Sequence, residues 1–171
     1  MDKVNSWDKG IDYVFAYKTL TRLIERCEGK TRCYLAIALI QLRNGSRISE
    51  AVRAFKRWLT TSNHELYVEV SKKKHPEARL MVIPKELDDL RLECLELSTV
   101  DDFKLKKRVQ TVLYKYAKFN THSLRYAYIT YLLRQGVNPA LISKLIKHSK
   151  LDTLLHYVQE KASEEVLREF Y

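Results

Sequence analysis

The sequence predicts a mainly α-helical domain that carries one small β-hairpin. Three observations point there. Apolar residues recur at three- and four-residue spacing along most of the 171 residues. Only 4 glycines and 3 prolines interrupt that spacing, so long helices are permitted. A single stretch, ELYVEV from Glu65, changes to alternation and is rich in β-branched and aromatic residues. With 46% apolar and 30% charged residues, the composition is that of a globular domain with a real core. Collagen-like and low-complexity readings are excluded.

The elements follow in order. Val14 to Cys27 reads as a helix with Leu20, Leu23 and Ile24 on one face. Thr31 to Leu42 is apolar almost all round and predicts a central buried helix. Ile48 to Trp58 is a third helix, with Ser46 expected as its N-cap. ELYVEV, the basic turn SKKKHPEA and RLMVI make the hairpin, with lysines at its tip. Pro84 suits a helix start, and Lys85 to Leu97 is expected to be helical. Asp101 to Phe119 is a helix made basic by Lys104, Lys106, Lys107, Arg108, Lys115 and Lys118. Ser123 to Arg134 is a helix ended by Gly136, and Pro139–Lys147, Leu151–Val158 and Ser163–Phe170 complete the set. Residues 1–171 therefore read as one domain without a linker or an internal repeat.

Lys plus Arg is 31 against 21 for Asp plus Glu, a formal net charge of +10. A compact domain with that excess meets a polyanion, with nucleic acid ahead of an anionic membrane surface. The apolar run Tyr34–Ile40 falls far short of the roughly 20 residues a bilayer span needs, so no membrane partner is expected. The N-terminus has no signal-peptide core. Three cysteines, Cys27, Cys33 and Cys94, lack zinc-type spacing and read as reduced, partly buried thiols of a cytoplasmic protein.

Several residues suit phosphate chemistry. His122 and Arg125 in THSLR lie three apart on a helix and share a face. Arg offers a fixed fork of donors to two phosphate oxygens. Arg47 stands at a helix start, where free N–H groups and the dipole favour an anion, although taken alone the plainer reading is an exposed Arg beside a cap that pairs with Glu50. Lys72, Lys73 and Lys74 crowd the hairpin tip, either to discourage edge pairing or to reach a ligand. His148 follows Lys147, and Tyr157 comes nine residues later. No cofactor or metal is expected. Asp88–Asp89 are adjacent and so do not face each other, and Asp101–Asp102 read as a helix-start charge. His64, His75 and His156 have no zinc-type spacing, and no P-loop or dinucleotide fingerprint appears.

Taken in order, these residues resemble the catalytic domain of the tyrosine recombinase (phage integrase) family, over roughly Tyr13 to Tyr171. An archaeal or viral integrase is the implied kind. The family's T-G-x-R-I-S-E-L is similar to NGSRISEA here, which matches Arg47. YVEVSK puts Lys72 at the family's hairpin lysine, and a long turn leaves Lys73 and Lys74 as contenders. T-x-H-x-L-R-H resembles THSLRYAY, giving His122 and Arg125. L-G-H-S-S resembles IKHSK, giving His148, with Lys147 replacing the glycine and expected to alter a turn. The family's tyrosine falls on Tyr157 in LLHYVQ.

The resemblance implies the family's α+β catalytic fold and metal-free strand cleavage through a 3′-phosphotyrosyl intermediate. Arg47 and Arg125 would hold the non-bridging oxygens, with His122 and His148 adding donors. Tyr157 would attack, and Lys72 would protonate the leaving 5′-oxygen. Double-stranded DNA is the implied partner. Lys73, Lys74, Lys104, Lys106, Lys107 and Arg108 are candidates for its backbone. A homo-oligomer on DNA, tetrameric in synapsis, is implied, with a monomer in solution. The family's N-terminal core-binding domain is not expected within these residues. The host cytoplasm is the expected location for a viral protein. The competing readings are a type IB topoisomerase-like relaxing enzyme and a non-catalytic DNA-binding protein of the same fold.

Overall fold

The computed structural model describes residues 10–70, 74–147, 163–164 and 166–169. Its elements are α1 (Tyr13–Arg26), α2 (Lys30–Asn44), α3 (Ile48–Thr61), β1 (Glu65–Glu69), β2 (Ala78–Val82), α4 (Arg91–Cys94), α5 (Asp102–Ala117), α6 (Thr121–Arg134) and α7 (Pro139–Ile146). Helix α2 runs through the middle and packs against α1, α3, α5 and α6. Every residue from Cys33 to Leu42 is buried, as its all-round apolarity requires. Helices α1 and α5 are amphipathic and turn one stripe inward: Ala16, Leu20 and Ile24 on α1, and Leu105, Val109 and Leu113 on α5. Phe55, Trp58 and Leu59 of α3 close the core on the hairpin side.

The strands pair antiparallel, with Tyr67 opposite Leu80 and Val68 opposite Arg79. Leu66, Val68 and Met81 point into the core while Glu65, Tyr67 and Glu69 face outward, the alternation the sequence predicts. Described positions of the expected Ser163–Phe170 helix are helical and exposed. The expected Leu151–Val158 helix lies outside the described residues.

Three expectations change. Lys85–Leu97 is not one α-helix. It winds as a 3₁₀ segment, Lys85–Leu90, then the single α-turn α4, then a second 3₁₀ segment, Leu95–Thr99. Its buried residues are Leu87, Leu90, Cys94 and Leu97, spaced three, four and three apart. The 3₁₀ wind aligns residues three apart, and the α-turn falls where the spacing is four. Ser46 is not the N-cap of α3. Helix α2 ends at left-handed Gly45, and the chain reverses so tightly that Ser46 is buried and Arg47 takes the cap position. Cys33 and Cys94 form a disulfide with Cα atoms 5.7 Å apart, and only Cys27 is a free thiol. The two lie 61 residues apart, so no local spacing announces the pair, but α2 and α4 pack side by side.

Candidate anion-binding site

The site is built where the ends of α2, α3, α6 and β2 meet. Two amides at the end of α2 do the joining. Gln41 Nε2 donates to the backbone carbonyls of Ser46 (3.1 Å) and Thr121 (3.0 Å), tying the α2–α3 turn to the start of α6. Asn44 Nδ2 donates to the Val82 carbonyl and its Oδ1 accepts from the Val82 N–H, both at 2.8 Å. That clamps β2 onto the same turn. Gly45 at φ 57° lets the chain reverse, and the Tyr128 ring of α6 lies where a Cβ would stand, 2.3 Å from that position. Asn120 caps α6 by accepting from the Ser123 N–H at 2.8 Å.

These contacts bring three arginines around one carboxylate. Glu50 is fully buried. Its Oε2 lies 3.3 Å from Arg47 Nη1, and its Oε1 lies 3.8 Å from Arg79 Nη1. Arg79 Nη2 donates to the Asn44 carbonyl at 2.6 Å. Arg125 is 4% exposed, and neither of its terminal nitrogens has a hydrogen-bond partner among the described residues. Burial, then the neighbouring Arg47, lower its pKa to about 10, with Glu50 opposing and Arg79 adding to the fall. Burial also lowers the pKa of Arg79. Three guanidinium groups against one carboxylate leave an excess of positive charge in a place with little water. A buried, unpaired guanidinium costs free energy until an anion meets it. The arrangement is suited to holding an oxyanion with two or more acceptor oxygens.

Of the residues singled out by sequence, Arg47 and Arg125 converge here. Arg47 does pair with Glu50, as the plainer reading held, yet its side chain remains 17% exposed and joins the cluster to solvent. His122 sits in the first turn of α6 and is exposed, so it and Arg125 share a helix end but not a depth. Lys72, Lys73, His148 and Tyr157 lie outside the described residues. Their flanks do meet: Lys147, the last residue before His148, pairs with Glu77 at 3.0 Å, and Glu77 closes the hairpin by accepting from the Val70 N–H at 2.8 Å. Lys147 adopts φ 50°, the left-handed conformation glycine favours, so the substitution does not take away that turn conformation. Arg79, Gln41 and Asn44 were not found from the sequence. RLMVI was read for its apolar residues alone, and a charged residue on an inward-facing strand position was the available signal.

The basic residues elsewhere are arranged as expected for a solvated face. Lys74, Lys104, Lys107 and Arg108 are exposed and Lys106 is half-buried. Lys107 lies over the Phe103 ring and Lys118 over the Tyr114 ring, at 4.7 and 5.2 Å. Asp101 caps α5, Asp102 pairs with Lys56, and Asp88 pairs with His64. Among the described residues no group of three or more His, Cys, Asp or Glu could hold a metal ion. No described helix is long and apolar enough to cross a membrane.

No protein-family model matches the chain. Three curated proteins are similar over most of it. The chain is 39% identical over 167 residues to Putative integrase ORF241 of Acidianus two-tailed virus, covering 95% of this chain and 68% of that protein. It is 31% identical over 201 residues to Putative integrase V10 of Sputnik virophage, covering 94% and 88%. An uncharacterized protein of Methanocaldococcus jannaschii is 32% identical over 200 residues, covering 95% and 88%.

Proposed function

The chain belongs to the integrase family of these viral relatives, and from that premise we propose that it cuts and rejoins DNA by tyrosine recombinase chemistry. The observation that carries this reading is the convergence of Arg47 and Arg125, with the terminal nitrogens of Arg125 buried and without a partner among the described residues. The scissile phosphate of double-stranded DNA is the oxyanion the site would take. Its non-bridging oxygens gain charge in the transition state. Guanidinium groups aimed there stabilise that state more than the ground state, because they stay protonated at neutral pH.

Tyr157 is the proposed nucleophile. A phenol with an ordinary pKa near 10 attacks poorly until cations or a base draw off its proton. His122, exposed at the start of α6, would accept that proton directly or through water, and His148 would add a donor. The phenolate oxygen bonds to phosphorus, the bond to the 5′-oxygen breaks, and a hairpin lysine, Lys72 with Lys73 and Lys74 as contenders, supplies the proton to that oxygen. A 5′-hydroxyl from another strand then reverses the step. The phosphotyrosyl bond conserves the energy of the phosphodiester, so no nucleotide cofactor enters. Exposed cations on α5 and at the hairpin bind the backbone without reading sequence.

Covalent capture tests the reading. The protein is incubated with nicked duplex DNA and excess chelator, and an SDS-resistant protein–DNA adduct is sought. The expected result is an adduct that survives chelator and disappears in Tyr157→Phe. An adduct kept by that variant would assign the wrong tyrosine. Salt-sensitive DNA binding without any adduct would return the chain to the non-catalytic DNA-binding class. Relaxation of supercoiled DNA without a need for paired target sites would favour the topoisomerase-like reading.

A further inference from the structure

We propose that Arg79 is a positioning residue for the oxyanion site: it balances one oxygen of Glu50 so that the carboxylate does not offset the attraction of Arg47 and Arg125 for the phosphate. This rests on the oxyanion reading given above.

Arg79 stands at an inward position of β2, paired with Val68, and is 4% exposed. An arginine there is costly to bury, and its Nε and Nη1 have no hydrogen-bond partner among the described residues. Its surroundings account for its presence. One terminal nitrogen is anchored on the Asn44 carbonyl at 2.6 Å, beside the turn that leads into Arg47. The other faces Glu50 Oε1 at 3.8 Å, while Glu50 Oε2 faces Arg47 at 3.3 Å. The carboxylate is thus shared between a buried arginine and one that reaches solvent. Glu50 orients Arg47 but also opposes the site's attraction for an anion. A second cation on its far oxygen offsets that opposition. One terminal nitrogen of Arg79 is taken by the Asn44 carbonyl and the other faces Glu50, whereas those of Arg125 meet no described acceptor, so Arg79 acts through Glu50. It also links the hairpin to the arginine pair, because Arg79 and the Asn44 clamp on Val82 both hold β2 against the end of α2.

A charge-balance role differs from a packing role in one measurable way: neutralising the partner should rescue it. The probe is inorganic phosphate, titrated at constant ionic strength against chloride and followed by thermal unfolding. The proteins are the wild type, Arg125→Gln, Arg79→Gln, Glu50→Gln and the double variant Glu50→Gln/Arg79→Gln. The wild type should be stabilised by phosphate, and Arg125→Gln should lose that response. A wild type indifferent to phosphate would remove the oxyanion reading itself. Given the response, Arg79→Gln should bind phosphate about tenfold more weakly, because the uncompensated Glu50 draws on Arg47 and Arg125. The double variant should recover most of the affinity. If Arg79→Gln alone does not fold, the double variant is compared with Glu50→Gln, whose phosphate affinity it should match. A double variant that binds no better than Arg79→Gln, or an Arg79→Gln that binds as the wild type does, would overturn the proposal while leaving the oxyanion site intact.

Discussion

Arg125 carries a full charge into a place where its terminal nitrogens meet no described acceptor, and that sets what its replacement should do. A buried cation without a hydrogen-bonded partner weakens the fold, so an apolar side chain of similar length relieves a cost. Arg125→Met is expected to melt at or above the wild-type temperature while losing at least 100-fold in the rate of adduct formation. Differential scanning calorimetry and single-turnover capture read the two effects separately. The pH dependence has a definite sign. Folding lowers the Arg125 pKa to about 10, so its cost to stability is fully present below that pH and is relieved as pH rises through it. Anion binding moves the opposite way. Above about pH 8, where inorganic phosphate is already dianionic, its affinity should be level to about pH 9 and fall through pH 10 as the guanidinium gives up its proton. His122 and Arg125 were legible from their spacing, but their unequal depth was not. Which side of a short helix faces the core depends on partners 80 residues away, such as the Gln41 bond to the Thr121 carbonyl.

At the scale of elements, the contact between Gly45 and Tyr128 is what lets the ends of α2 and α6 come close enough to bring Arg125 near Arg47. A Cβ at position 45 would overlap the tyrosine ring and would also occupy a left-handed conformation that costs roughly 1–2 kcal/mol for an L-residue. Gly45→Ala should therefore be clearly destabilised and should lose the phosphate response. Adding Tyr128→Ala should restore part of the stability, so that the double variant is less impaired than the sum of the two. Chemical denaturation of the four proteins closes that cycle. The elements were legible where one face dominated. The stripe on α1, the all-apolar α2 and the alternation in ELYVE each declare a period. The stretch from Lys85 to Thr99 did not, because three- and four-residue spacings alternate within it and both winds satisfy the same buried leucines. Arg79 was passed over for a related reason. Strand alternation predicts that its position faces inward, but not that two other elements, α2 and α3, bring a carbonyl and a carboxylate to meet it.

For the whole molecule, the Cys33–Cys94 disulfide joins the central helix to the short α4 across a loop of 61 residues. Compartment reasoning from cysteine count favoured free thiols, and the tertiary approach of α2 and α4 decided otherwise. Closing a loop of that length removes entropy from the unfolded chain worth about 4 kcal/mol on the polymer estimate. Both sulfurs lie in the main core, in contact with neither Arg47 nor Arg125 through any hydrogen bond, so the link should support the fold without tuning the site. Reduction, or replacement by Cys33→Ser/Cys94→Ser, should lower the melting temperature on the order of 10 °C for a domain of this size. Phosphate affinity measured well below the new melting point should change less than twofold. Thiol labelling of the denatured, unreduced protein should modify Cys27 alone, and after reduction all three cysteines. Labelling of three thiols before reduction would show that the pair is open in the isolated protein. A large loss of phosphate affinity on reduction, at a temperature where the helices remain intact by circular dichroism, would instead place the disulfide in control of the arginine cluster through α2, whose far end carries Gln41 and Asn44.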